Sequence, residues 1–140
     1  MEHTENPLVV EAEQYVTNFF SENVSPKYVF HNIDHICNVV DASLTIAEGY
    51  ELTDKEYEIL QVAAWFHDTG YSEGAKGHEE RSAKIARAFL EARNYEEINI
   101  QRVEQAILST KKSIDPVTLI DRILLDADLS HLGSLLYWRS

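Results

Sequence analysis

Little in this chain supports a covalent framework, a membrane span or a surface for polyanions. Cys37 is its single cysteine, which excludes an internal disulfide and fits a reducing compartment. The opening segment, MEHTENPLVV, is acidic and has no long apolar core. It reads as neither signal peptide nor membrane anchor, so no membrane partner is expected and the expected location is cytoplasmic. Basic residues are scarce: 12 Lys and Arg stand against 24 Asp and Glu, a formal net charge of −12. No basic stripe offsets that balance, so nucleic acid is not an expected partner. A small phosphorylated ligand stays open, because a bound metal can reverse the local field inside an acidic protein. Runs of alternating β-branched residues and Asn-Gly or Asp-Gly hairpin turns are missing too, which argues against a sheet.

What is present is helical periodicity over 140 residues, of which 44% are hydrophobic. That fits a single domain, residues 1–140, with an all-α fold: a bundle of about six helices around one core. The helices are expected over Pro7–Glu22, Asn32–Glu48, Thr53–His67, Gly77–Arg93, Glu96–Ser109 and Pro116–His131. Pro7 and Pro116 suit first-turn positions, Asn32 and Thr53 suit N-caps, and Gly49 and Gly133 suit helix ends. Thr53 with Glu56 fits a capping box. The longest irregular stretch is Thr69–Lys76. After Gly133, Leu135, Leu136, Tyr137 and Trp138 read as the first turns of another helix. The expectation is a C-terminally incomplete chain, or an end that docks on a partner; a homo-oligomer is compatible with this.

Four separated fragments carry chemistry: FHNIDH (Phe30–His35), WFHDTG (Trp65–Gly70), GHEE (Gly77–Glu80) and LLDADLSHLG (Leu124–Gly133). With 100° advanced per residue, Val117, Leu124, Leu125 and Leu132 fall within about 60° of Asp128, so that carboxylate lies in the apolar arc. Asp126 falls on the opposite side, beside Arg122 and Ser130. Asp121 lies two turns earlier on nearly the inward face and is a weaker candidate. His67 projects with Leu60, Ala63 and Ala64 toward the inside. His67 and Asp68 can converge on one ion most easily where the helix stops, and Gly70 permits that turn. His35 sits at the margin between an apolar arc and a polar one, which suits the wall of a cleft. Each residue taken singly has an ordinary structural explanation. Three helices that each bring a metal-capable residue to an inner or margin position favour a shared divalent ion, because an inward carboxylate is costly unless paired or metal-bound.

The ordered set His35, His67-Asp68 and Asp128, each in its flanking context, resembles the HD-domain metal-dependent phosphohydrolases over about Tyr28 to Gly133. The resemblance implies a helical bundle with a metal ringed by His35, His67, Asp68 and Asp128. Two stretches are also similar to the catalytic domain of cyclic-nucleotide phosphodiesterases: Phe30–His35 to a Tyr-His-Asn-x-x-His motif, and Asp128-Leu129-Ser130 to an Asp-Leu-Ser motif. Carried over, this makes His31 the candidate general acid and His35 a ligand. The chain departs from those enzymes at Thr69-Gly70-Tyr71, where they place another His, and it has no room for their purine-clamping region. His78 is a candidate for a second metal or for a phosphate contact.

The resemblance implies hydrolysis of a phosphate ester, of a nucleotide or a small phosphorylated metabolite, by a water that the metal activates. Asp68 would bind the metal and orient or deprotonate that water, and His31 would protonate the leaving oxygen. One divalent ion is expected (Mn, Fe, Co, Ni, Mg or Zn), with a second left open. Lys76, Arg81, Lys111 and Lys112 flank the expected mouth as candidate phosphate contacts. Two other readings are a metal- and nucleotide-binding sensor of low turnover, and a di-iron HD oxygenase.

Overall fold

The computed structural model describes residues 6–74, 76–111 and 113–139, with side chains described for these except 26–31 and 131–139. Six α-helices and no strand are found among the described residues: α1 (Pro7–Asn23), α2 (Pro26–Ala47), α3 (Asp54–Phe66), α4 (His78–Glu91), α5 (Glu97–Leu108) and α6 (Leu119–Arg139). The all-α expectation holds. None of the described helices is long and apolar enough to cross a membrane.

Local chemistry sets most helix starts. Asn6 caps α1 through Val9 N–H (3.1 Å), with Pro7 in the first turn. At α3 the capping box is complete: Thr53 Oγ1 accepts from Glu56 N–H (3.1 Å), and Glu56 Oε1 accepts from Thr53 N–H (2.8 Å). Two starts differ from the sequence expectation. Helix α2 begins at Pro26 rather than Asn32, because Pro26 takes the first-turn position where its missing N–H costs nothing. Helix α6 begins at Leu119 rather than Pro116, because Thr118 and Asp121 form the start signal. Asp121 N–H donates to Thr118 Oγ1 (3.2 Å), while Asp121 Oδ2 accepts from the N–H groups of Val117 (3.0 Å) and Thr118 (3.2 Å). Asp121 is thus a buried cap and not an inward ligand, and Val117, projected into the apolar arc, lies before the helix and is 77% exposed. Helix α6 also runs through Gly133 to Arg139, so residues 135–138 continue it rather than begin another.

Helix α3 is the axis of the molecule. Tyr57 and every residue from Ile59 to Phe66 are buried, as befits a helix covered on all sides, and it packs against α1, α2, α4, α5 and α6. Gln61, polar in this setting, donates its amide to Tyr57 O (3.2 Å). The first residue past this helix therefore emerges at the centre of the bundle. That residue is His67.

Beyond His67 the chain makes a single 3₁₀ turn, Thr69–Glu73, in the stretch expected to be irregular. It lies tightly on α4: a Cβ on Gly70 would come 2.2 Å from His78 O and 2.8 Å from Ser82 N. Gly70 N–H donates to Ser82 Oγ (2.8 Å). Gly77, at φ +71°, turns the chain into α4 in a conformation that favours glycine.

Candidate metal centre

Three helices deliver the groups. His67 caps the C-terminus of α3, and its Nδ1 lies 2.6 Å from Ala64 O. A carbonyl can only accept, so Nδ1 carries the proton and donates, which leaves the Nε2 lone pair facing away. His67 is buried, and Nε2 has no hydrogen-bond partner; Asp128 Oδ1 is 3.4 Å away. Helix α2 contributes His35, whose Nε2 is 3.3 Å from Asp68 Oδ2 and 3.7 Å from Asp128 Oδ1. Helix α6 contributes Asp128, partly buried, while Asp126 is exposed. One donor atom each from His35, His67 and Asp128 lies within 4.8 Å of the others.

Two donors about 2.1 Å from a shared ion stand at most about 4.2 Å apart. The four imidazole–carboxylate contacts, 3.3 to 3.9 Å, fall inside that span; the donors that gather on one point are those of His35, His67 and Asp128, and Asp68 flanks them. Asp68 faces two ways: Oδ2 meets His35, whereas Oδ1 is 3.9 Å from His67 Nε2 and 3.5 Å from His78 Nε2. The donor set, two imidazoles and two carboxylates, suits a six-coordinate divalent ion with positions left for water or phosphate oxygen. His67 Nε2, buried and 3.4 and 3.9 Å from two carboxylates, sits where a cation or a proton would balance their charge.

Electrostatics agree. Burial pushes His35 toward the neutral form, but hydrogen bonds and charge from Asp128 and Asp68 outweigh it and raise its pKa to about 9. Burial likewise acts against a charge on His67, and Asp68 and Asp128 raise its pKa nonetheless. The carboxylates respond in kind. Burial alone would push both up, yet the imidazoles hold Asp68 and Asp128 below the ordinary carboxylate range. The carboxylates thus draw positive charge into one spot, as protons when nothing else is bound.

A cavity of about 480 Å³ opens onto His35, Asp68 and Asp128, with His78, Tyr71 and Lys111 farther round its wall. His78 is held between Asp68, Glu79 Oε2 (3.4 Å) and the Tyr71 ring (centroids 4.7 Å apart). Of the candidate phosphate contacts, Lys111 reaches the cavity, with Nζ 2.6 Å from Glu80 Oε2. Lys76 is exposed and does not line it. Arg81 has a different task from the one expected. Its Nε donates to Gly70 O (2.9 Å), Nη1 to Lys76 O (2.7 Å) and Nη2 to Gly74 O, so it staples the loop after Asp68 onto α4. Lys112 lies outside the described residues. His31 falls within α2, one turn before His35, but its side chain also lies outside the described residues. Glu79 and Thr110 line the cavity without having been singled out. Glu79 has a signal in its place beside His78 in GHEE, and Thr110 has one in its place beside Lys111 after the fifth helix.

The family model described as HD domain matches residues 32–132. No curated protein and no solved structure matches the chain.

Proposed function

Because the chain belongs to the HD-domain superfamily of metal-dependent phosphohydrolases, we propose that it hydrolyses a phosphate ester, of a nucleotide or a small phosphorylated metabolite, at the cluster His35, His67, Asp68 and Asp128. These four side chains would hold a divalent cation. A cation there would supply Lewis-acid chemistry, acidifying water and polarising a phosphoryl oxygen. His67 is fixed for its part by the Ala64 carbonyl, which sets the tautomer that presents Nε2. Asp68 orients the attacking water through its carboxylate, which reaches the cavity beside His35. His78, in contact with Asp68 Oδ1, positions that carboxylate or serves a second cation. His31 donates a proton to the leaving oxygen, and Lys111 at the rim contacts a phosphate oxygen.

The observation that carries this reading is the buried His67 Nε2 with no hydrogen-bond partner, facing two carboxylates. The test is release of nitrophenol from p-nitrophenyl phosphate by gently purified protein, with elemental analysis of the same sample and a series of added divalent ions. Metal-dependent release that Asp68→Ala abolishes while the far-ultraviolet circular dichroism stays helical is the expected result. A folded protein that takes up none of the divalent ions refutes it.

A further inference from the structure

Helix α4 opens with two glutamates, and the second of them holds the lysine that reaches the metal-centre cavity. Lys111 lines that cavity together with Asp68 and Asp128, and its Nζ lies 2.6 Å from Glu80 Oε2, 31 residues away in the chain. The pair bridges the first turn of α4 and the segment that leaves α5. Both side chains are open to solvent, 39% and 45% exposed, and such a pair adds little to stability. Glu80 makes it with one oxygen alone: Oε1 is shielded from solvent and has no hydrogen-bond partner. A carboxylate oxygen that has lost water and gained no donor is unfavourable, so little opposes opening the pair. An alternative lies close at hand. Glu80 is the third residue of α4, and the cap of that helix, Gly77, makes no side-chain hydrogen bond to the first turn. From the third position a glutamate can turn back to the N–H of the cap residue, and a carboxylate is favoured near a helix N-terminus. Glu80 therefore has two places to go.

From this geometry we infer that Glu80 competes with the substrate's phosphate for Lys111: it holds the lysine while the cavity is empty, releases it to a phosphate oxygen, and reclaims it when phosphate leaves. This rests on the phosphohydrolase reading, which brings a phosphate into the cavity that Lys111 lines. Glu80 acts through Lys111 and not on the phosphate itself, which makes it a positioning residue. A competitor built into the wall lowers the affinity for ester and for inorganic phosphate alike, by the fraction of time that Lys111 is free. It thereby keeps the product from lingering at a site that holds a divalent cation. The size of the effect follows from the exposure of the pair: closed outweighs open by about two- to fivefold, the range of one solvent-exposed ion pair.

The test measures binding of inorganic phosphate by isothermal titration calorimetry, and KM for p-nitrophenyl phosphate, both on metal-loaded protein. Glu80→Gln is expected to tighten phosphate binding and lower KM by one common factor, about two- to fivefold, without raising kcat. Lys111→Met weakens both. In a Lys111→Met background Glu80→Gln brings no gain, whereas in a Lys111→Arg background it does, because a guanidinium also pairs with a carboxylate. Every variant should unfold within about 3 °C of the wild type, as befits an exposed pair. Phosphate binding that is unchanged or weaker in Glu80→Gln overturns the inference. So does a gain that persists in the Lys111→Met background, since Glu80 would then act only through its long-range field. If none of these proteins hydrolyses the ester, the phosphohydrolase reading alone fails, and the calorimetry still decides the role of Glu80. Phosphate that binds neither the wild type nor Glu80→Gln overturns the inference whatever the turnover.

Discussion

Replacing Asp128 by Asn tests the centre with almost no change of shape. Its carboxylate contacts both imidazoles, at 3.7 Å from His35 Nε2 and 3.4 Å from His67 Nε2, and is the group from α6 that closes the cluster. A cation that binds the folded state at a hundred times its dissociation constant stabilises it by about 2.7 kcal/mol. For a chain of this length, at about 3 to 5 °C per kcal/mol, that is a rise in Tm of about 8 to 13 °C. An amide cannot neutralise a cation. A hundredfold loss of affinity, the upper end of what removal of even an outer partner costs, would bring the same cation concentration to about one dissociation constant. The stabilisation then falls to about 0.4 kcal/mol, or about 1 to 2 °C. The assay is differential scanning fluorimetry of both proteins, stripped with chelator and then titrated with Mn²⁺, Co²⁺, Ni²⁺ and Mg²⁺. Asp128→Asn also loosens the metal-free protein by removing an ion-pair partner, so the quantity read is the rise on adding metal, not the absolute Tm. A variant that keeps the full rise, or a wild type that shows none, refutes the cluster as a cation site.

Three further predictions concern what holds the site in place. Gly70→Ala places a methyl 2.2 Å from His78 O and 2.8 Å from Ser82 N; overpacking of this kind costs about 1–3 kcal/mol, read as a lower urea midpoint. A variant as stable as the wild type would show that the turn does not lie against α4. Arg81→Ala frees the carbonyls of Gly70, Gly74 and Lys76 and is expected to speed amide hydrogen exchange at residues 70–77 while helices α3 and α5 stay protected. Uniform protection would mean that the staple is dispensable. Glu58 ties α1, α3 and Tyr95 together: it accepts from Asn6 (3.0 Å), Lys55 (2.9 Å) and Tyr95 (2.5 Å). Burial pushes its pKa up, but these partners hold it below the ordinary 4.5. Its contribution to stability is therefore complete above that value and is lost as pH falls through the lower folded value. Glu58→Gln should lower stability at pH 7 and flatten its fall between about pH 5 and 3; a parallel acid limb in both proteins would refute this.

Much of this architecture was legible because its signals are local. The apolar arc of the last helix placed Asp128 inward and Asp126 outward, and Thr53 with Glu56 marked the start of α3, both as found. The errors share a physical cause. Asp121 was read by helical projection, but projection assumes a helix that has already begun, and Asp121 belongs to the turn that begins it. Arg81 was read by charge and position near the mouth. Its partners are backbone carbonyls 5 to 11 residues away, and every residue offers a carbonyl, so no side-chain pattern announces them. The start of α2 lies at 26 rather than 32, because Pro26 takes a first-turn position ahead of Asn32, the residue expected as the cap.

The charge balance of the centre leads to one more consequence. In the metal-free protein the carboxylates of Asp68 and Asp128 face imidazoles whose pKa values they raise, that of His35 to about 9, so a proton on His35 supplies positive charge there. A divalent cation would supply the same charge at the same place, with both imidazoles neutral. The two states differ in what they offer a phosphate. A proton on His35 Nε2 is turned toward Asp68 and Asp128, whereas a six-coordinate cation held by four protein ligands would keep two positions open. Among the described residues little else in the cavity compensates, since Lys111 is paired with Glu80 and the chain as a whole carries −12. Inorganic phosphate should therefore show binding heat with metal-loaded protein and none with chelator-treated protein in isothermal titration calorimetry. Equal binding to both forms would move phosphate recognition away from the cluster and onto the rim.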